Sequence, residues 1–178
     1  ATVYFMRSGA VCYEPEMHGA QDTMVTAGEV IQQHNMHPSA IIVIDAVGMG
    51  AGVYDRVQEV MDLNKGRSED FLFPFIASAG TNWTDISSLL KFRDLRSAAW
   101  WNMRQLLDPT YGHNIILPPN RDLRAELAAP KYDSLSDGKI KVEQKEDIRK
   151  RLGRSTNLAD ALIMSFWDEA YQVGMEYG

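Results

Sequence analysis

Ala40-Ile41-Ile42-Val43-Ile44-Asp45-Ala46-Val47-Gly48-Met49-Gly50-Ala51-Gly52 is the stretch that decides the architecture. Ile41 to Ile44 are all β-branched, with no polar break, and such a run reads as a strand buried on both faces in the middle of an α/β sheet. The run ends on Asp45, and Gly48, Gly50 and Gly52 then mark a tight passage from strand to helix. In open α/β sheets functional groups collect at the carboxyl ends of strands, where the loops leave a crevice. Asp45 stands at such an end and is placed to hold a metal ion; it is equally placed to cap the loop or the next helix. The glycine spacing matches neither the phosphate-loop pattern nor the dinucleotide fingerprint.

The alternation continues on both sides of this stretch. Residues 2–7 and 10–14 are rich in β-formers and are split by Ser8-Gly9, which predicts a hairpin with a tight turn. Helical spacing runs from Asp22 to about Asn35 and is stopped by Asn35 and Pro38. After the glycines come a helix from about Val53 to Leu63, a strand from Phe71 to Ile76, a polar loop from Ala77 to Ser88, and a long helix from about Phe92 to Leu107. A shorter helix covers Arg121 to Ala129. The segments Lys131–Leu135 and Lys139–Glu143 flank Asp137-Gly138, the strongest two-residue hairpin signal. Helices over Lys145–Leu152 and Leu158–Gln172 close the chain. An antiparallel hairpin followed by helix and buried strand is an α/β arrangement with a mixed sheet. There is no internal repeat and no low-complexity linker, so the 178 residues are expected to form one domain.

Composition narrows the function. No apolar run has the roughly 18 residues that a membrane span needs, and no basic-then-apolar leader opens the sequence. Cys12 is the one cysteine, so neither an internal disulfide nor a cysteine-based zinc site can form, which fits a reducing cytoplasm. His18, His34, His37 and His113 lack the spacing of a helical zinc motif and read as loop or surface residues. A net charge of −6 argues against a protein that coats nucleic acid by bulk positive charge. Between Lys139 and Arg154, however, seven basic residues face three acidic ones, which leaves local phosphate binding open beside the commoner reading of a solvated, salt-bridged face. Trp83, Trp100 and Trp101 are candidate stacking platforms, but the adjacent pair Trp100 and Trp101 on a helix reads as core packing.

Asp160 is the second candidate. In Arg154-Ser155-Thr156-Asn157-Leu158-Ala159-Asp160-Ala161-Leu162, Asn157 is placed as a helix cap and Asp160 falls in the first turn. A carboxylate there is stabilised by the helix dipole and often does nothing more. Leu158, Leu162, Phe166 and Ala170 supply the buried stripe, with Asp160 to one side. Two carboxylates from distant segments, Asp45 and Asp160, nevertheless suit a divalent cation that prefers oxygen ligands.

Three stretches resemble the nuclease domains of tailed-bacteriophage large terminase subunits. They are Ile41 to Arg56, Phe92 to Trp101, and the run from Arg121 through Lys145-Glu146-Asp147-Ile148-Arg149-Lys150-Arg151-Leu152-Gly153 to Asn157-Leu158-Ala159-Asp160-Ala161-Leu162. The resemblance covers nearly the whole chain in order. It implies a ribonuclease H-like mixed sheet flanked by helices, here lacking its first strand, and a metal-dependent endonuclease that cleaves concatemeric double-stranded viral DNA during packaging. Asp45 and Asp160 match two of three acidic ligands for a two-metal Mg²⁺ or Mn²⁺ site. The third is expected ahead of Ala1, since no Asp or Glu occurs from Ala1 to Tyr13; Glu14, Glu16 or Asp168 are weaker substitutes. The start at Ala1, without Met, reads as a piece of a longer chain. The resemblance further implies an upstream ATPase domain, a portal protein and a small terminase subunit as partners, and the cytoplasm of an infected bacterium as the location. No Gly-x-x-x-x-Gly-Lys-Ser/Thr loop is present, so this segment is not the motor. Lys141 and Lys145, flanking the hairpin-to-helix junction, are the preferred DNA phosphate contacts. Competing readings are another ribonuclease H-like nuclease, a resolvase or transposase core, or a catalytically incomplete docking module for portal or procapsid.

Overall fold

The structure, a computed structural model, describes residues 1–65 and 68–167. In chain order the elements are β1 (Thr2–Tyr4), β2 (Arg7–Ser8), β3 (Val11–Cys12), β4 (Glu16–His18), α1 (Thr23–Met36), β5 (Ile42–Asp45), α2 (Met49–Lys65), β6 (Leu72–Phe75), α3 (Leu95–Leu106), α4 (Arg121–Leu127), β7 (Tyr132–Ser134), β8 (Ile140–Val142), α5 (Lys145–Leu152) and α6 (Asn157–Ser165). This is an α/β chain whose parallel and antiparallel pairs are spread over small two-stranded sheets. Asp168, Ala170 and the expected extension of the last helix to Gln172 lie outside the described residues. No helix among the described residues is long and apolar enough to cross a membrane.

The chain divides into two compact units, one made of Ala1–Thr2 with His18–Ala77, the other of Val3–Met17 with the chain from Ser78 onward. The first unit is a β-α-β arrangement with a helix added. β5 pairs in parallel with β6, Ile42 opposite Leu72 and Asp45 opposite Phe75, and α2 makes the connection that parallel neighbours require. Val53, Val57 and Met61, four residues apart on α2, bury one helical face with Ala27 of α1 and Leu72 of β6. Each such aliphatic side chain contributes about 1.5–3 kcal/mol by leaving water. Asp22 caps α1 by accepting from the Met24 N–H at 2.7 Å.

Two expectations change here. The strand run is half-buried rather than sealed on both faces, with Ile41 exposed. The reason is that within this unit Ile42 and Ile44 pack on the α1–α2 cluster while Val43, by strand alternation, points the other way. His34 is no surface residue: it is 3% exposed and stacks on Phe71 with ring centroids 4.5 Å apart. It lies two turns after Ala27, on the same buried face of α1.

The second unit is built around α3. Leu95, Ala98, Ala99 and Met103 form its buried stripe, capped by Asp94, which accepts from the Ser97 N–H at 2.8 Å. Asp85 organises the preceding polar loop by accepting from the N–H groups of Leu89 and Leu90 and from the Ser87 hydroxyl. Both predicted hairpins form, the first with its turn one residue later than expected: Ser8 belongs to β2, which pairs antiparallel with β3 around Gly9-Ala10, and β7 pairs with β8 around Asp137-Gly138. Trp83 packs on Phe92 and Trp167, and Trp100 is 7% exposed. Arg7 closes the carboxyl end of α6, donating from Nε to the Ser165 carbonyl at 2.5 Å with its guanidinium over the Phe166 ring; a cation there also complements the helix dipole.

Cys12 is 5% exposed, and burial pushes its thiol up to about 11, against the opposing pull of Arg7. The native thiol should therefore alkylate with iodoacetamide at pH 8 about 100-fold more slowly than in the urea-unfolded chain, because the thiolate is the nucleophile. Equal rates in the two states would show that Cys12 is not shielded.

Candidate active site

Asp160 sits where several elements of the second unit meet. Its Oδ2 lies 2.8 Å from the Lys145 ammonium and accepts from the Thr156 hydroxyl at 3.0 Å. Its Oδ1 receives no hydrogen bond from the described residues. The side chain is 21% exposed, so the carboxylate is reached by solvent yet held by neighbours. Lys145 is the first residue of α5, where a positive charge opposes the helix dipole. The Asp160 carboxylate offsets that disadvantage.

Arg96 on α3 adds a second cation nearby. Its Nη1 donates to the Glu143 carbonyl at 2.6 Å, fixing the end of β8 just before Lys145, and its Nη2 is buried without a hydrogen-bond partner among the described residues. Burial pulls the guanidinium below its ordinary value, opposed by Asp160 first and then by Asp94, Glu146 and Glu143. A guanidinium stays protonated in proteins, so Arg96 is a permanent positive charge beside this acidic set.

The amino end of α6 is not capped as the sequence suggested. Asn157 is the first helical residue rather than the cap; Thr156 occupies the cap position but makes no side-chain cap bond. Glu126 of α4 does that work, one oxygen accepting from the N–H groups of Leu158 at 2.9 Å and Ala159 at 3.1 Å. Glu126 is 3% exposed. Burial raises its carboxyl above the usual range, against the two N–H donors and Arg154, whose Nε is 3.7 Å away. Arg154 also pairs with Asp122 on the same helix. No local pattern points to Glu126, because its partners lie more than 30 residues along the chain.

Asp45 occupies the carboxyl end of β5 in the first unit and is exposed. The glycine turn that follows has a steric cause. Gly48 has φ of +61°, and a Cβ on Gly50 would lie 1.8 Å from the Asp45 carbonyl oxygen. The turn is tighter than expected, since α2 starts at Met49 and already contains Gly50 and Gly52. Asp45 and Asp160 thus belong to different compact units.

Lys141 sits on β8 opposite Asp133 on β7. Within the basic run, Lys139, Lys145, Lys150, Arg151 and Arg154 each form an ion pair, as the salt-bridged reading anticipates. Among the described residues, no group of three or more His, Cys, Asp or Glu side chains comes together as a metal site. Asp160 still fits a hard cation as one ligand, because it is an anionic oxygen donor with Oδ1 uncommitted.

The α/β fold is shared with a solved nuclease domain of a bacterial-virus large terminase subunit. The likeness is to the nuclease domain of the large terminase subunit gp2 of bacterial virus Sf6. Its K428A mutant with manganese superposes with a TM-score of 0.68 at 21% identity, over 92% of this chain and 81% of that one. The same domain without that substitution gives 0.65 at 21% identity, over 90% and 79%, and the K428A mutant with calcium gives 0.66 at 21% identity, over 90% and 79%. Neither a protein-family model nor a curated protein matches the sequence.

Proposed function

We propose that this chain is a divalent-metal-dependent nuclease domain that cuts double-stranded DNA, concatemeric viral DNA in particular, during genome packaging. The observation that carries the reading is the Asp160 carboxylate, anchored through Oδ2 by Lys145 and Thr156 with Oδ1 uncommitted, in a fold shared with a terminase nuclease domain solved with manganese. Asp160 and Asp45 are the residues proposed as Mg²⁺ or Mn²⁺ ligands. A bound pair of such ions supplies activation of water and stabilisation of charge at phosphorus. The chain's own residues do the rest. Lys145 keeps Asp160 oriented and, with Lys141, offers positive charge to the DNA backbone, and the half-buried Arg96 fixes the Glu143 carbonyl just ahead of α5, which Lys145 begins. The partners that go with this role are double-stranded DNA, a portal protein, a small terminase subunit and an ATPase domain of the same polypeptide, in the cytoplasm of an infected bacterium.

Metal ions contribute several kcal/mol to such a transition state, so Asp160→Asn and Asp45→Asn should each slow Mn²⁺-dependent nicking of supercoiled plasmid about 100-fold or more. Nicking that persists in the double variant would end this assignment. A second reading is favoured by one observation, that fewer than three candidate ligands gather among the described residues: the domain would then serve as a docking module for portal or procapsid. Binding to portal protein, with no Mn²⁺-dependent cleavage even when sequence upstream of Ala1 is included, would select it.

A further inference from the structure

At an ordinary helix amino terminus, the side chain of the cap residue accepts a hydrogen bond from the second or third helical N–H. In α6 these are the N–H groups of Leu158 and Ala159, and the cap residue is a threonine able to serve them. It does not: Thr156, fully buried, turns its hydroxyl to Asp160, while both N–H groups go to Glu126 on α4. The two observations complement each other. Turned toward Asp160, the Thr156 side chain makes no cap bond, and the helix end would be left with two buried donors unless another group took them.

We infer that, with Glu126 capping α6 from a distance and the Thr156 hydroxyl donated to Asp160, Thr156 and Glu126 are positioning residues for the metal-binding carboxylate. Thr156 fixes the rotation of the carboxylate by holding Oδ2 and leaving Oδ1 outward. Glu126 fixes the helix turn from which Asp160 projects. Arg154, reaching both Asp122 and Glu126, holds the capping carboxylate in place. The inference rests on the reading of Asp160 as a metal ligand, and outer groups that orient a metal ligand typically account for about 10–100-fold in metal affinity.

Two measurements on the 178-residue chain test it. In the first, Mn²⁺ binding is followed by electron paramagnetic resonance, and the thermal midpoint is recorded for each protein. Thr156→Val, which keeps the buried shape, should weaken Mn²⁺ about 10-fold with a nearly unchanged midpoint, and Thr156→Ser should restore binding. In the second, hydrogen exchange is read at the Leu158 and Ala159 amides. Both should exchange faster in Glu126→Leu and remain slow in Thr156→Val. Glu126→Gln, which keeps an acceptor oxygen, should preserve slow exchange and secures the test if Glu126→Leu does not fold.

Faster exchange at these amides in Thr156→Val, or wild-type Mn²⁺ affinity in that variant where Asp160→Asn has lost it, overturns the inference. Absence of Mn²⁺ binding by the wild-type chain is a different failure: it removes the metal reading and the positioning role with it, and the capping arrangement is then decided by exchange alone.

Discussion

Gly50→Ala should destabilise the first unit by about 3 kcal/mol, the upper end for overpacking, and should abolish metal-dependent cleavage, whereas Gly52→Ala two residues on should be harmless. At Gly50 the added Cβ falls 1.8 Å from the Asp45 carbonyl oxygen and 3.0 Å from its carbon. Both are backbone atoms, which no rotamer change can move away. Relief requires the first turn of α2 to lift off the end of β5, and that displaces the residue proposed to hold metal. At Gly52 the same atom meets only the Thr23 methyl at 4.0 Å, an ordinary contact, and replacing a helical glycine then gains about 0.5–1 kcal/mol. The pair therefore separates a steric role for Gly50 from a generic loss of glycine. Thermal melts followed by circular dichroism, with plasmid nicking in parallel, decide it. For a chain of this size, about 2–4 °C per kcal/mol places the Gly50→Ala midpoint about 6–12 °C lower. An unchanged midpoint with full activity would show that the close approach is not needed.

What was legible in the sequence was local. Asp45 could be placed at a strand end because four β-branched residues precede it and glycines follow, and both features act within a few residues. The Asp137-Gly138 turn and the Asp22 cap were legible for the same reason. His34 was misread because nothing within its own turn reveals that Phe71, from another segment, covers it. Asn157 was misread because the true capping group is a glutamate from α4, and the residue at the cap position spends its hydroxyl on Asp160. Asp160 itself was found through its wording, but its contacts with Lys145 and Thr156 depend on how α5 and α6 pack. Lys145 stands out in the sequence as a basic residue at the hairpin-to-helix junction, and its ion pair adds the second role of orienting the carboxylate. Nothing local to the Phe92–Trp101 stretch reveals a role for Arg96, because its value comes from the Glu143 carbonyl, 47 residues away.

Phe92→Ala should be the most damaging change in the second unit, costing about 3–5 kcal/mol as expected for deleting a fully buried aromatic ring. Phe92 is 1% exposed and touches Trp83 on one side and Trp101 of α3 on the other, with ring centroids 5.2 and 5.7 Å away. Its backbone neighbours also lock onto β8: the Arg93 N–H donates to the Ile140 carbonyl at 2.9 Å, and the Ile140 N–H donates to the Lys91 carbonyl at 2.8 Å. From β8 the linkage continues to the site, since the Val142 N–H donates to the Ser97 hydroxyl and the Glu143 carbonyl accepts from Arg96, immediately ahead of Lys145. Removing the ring thus loosens the strand that leads into α5, whose first residue Lys145 pairs with Asp160. The midpoint should fall by about 10 °C, and Mn²⁺-dependent nicking should survive well below the new midpoint but vanish near it, where wild type still works. Phe92→Leu, which refills much of the space, should lose less than half as much. If Phe92→Ala melts within about 2 °C of wild type, the packing between α3, β8 and the aromatic cluster does not support the site in the way these contacts indicate.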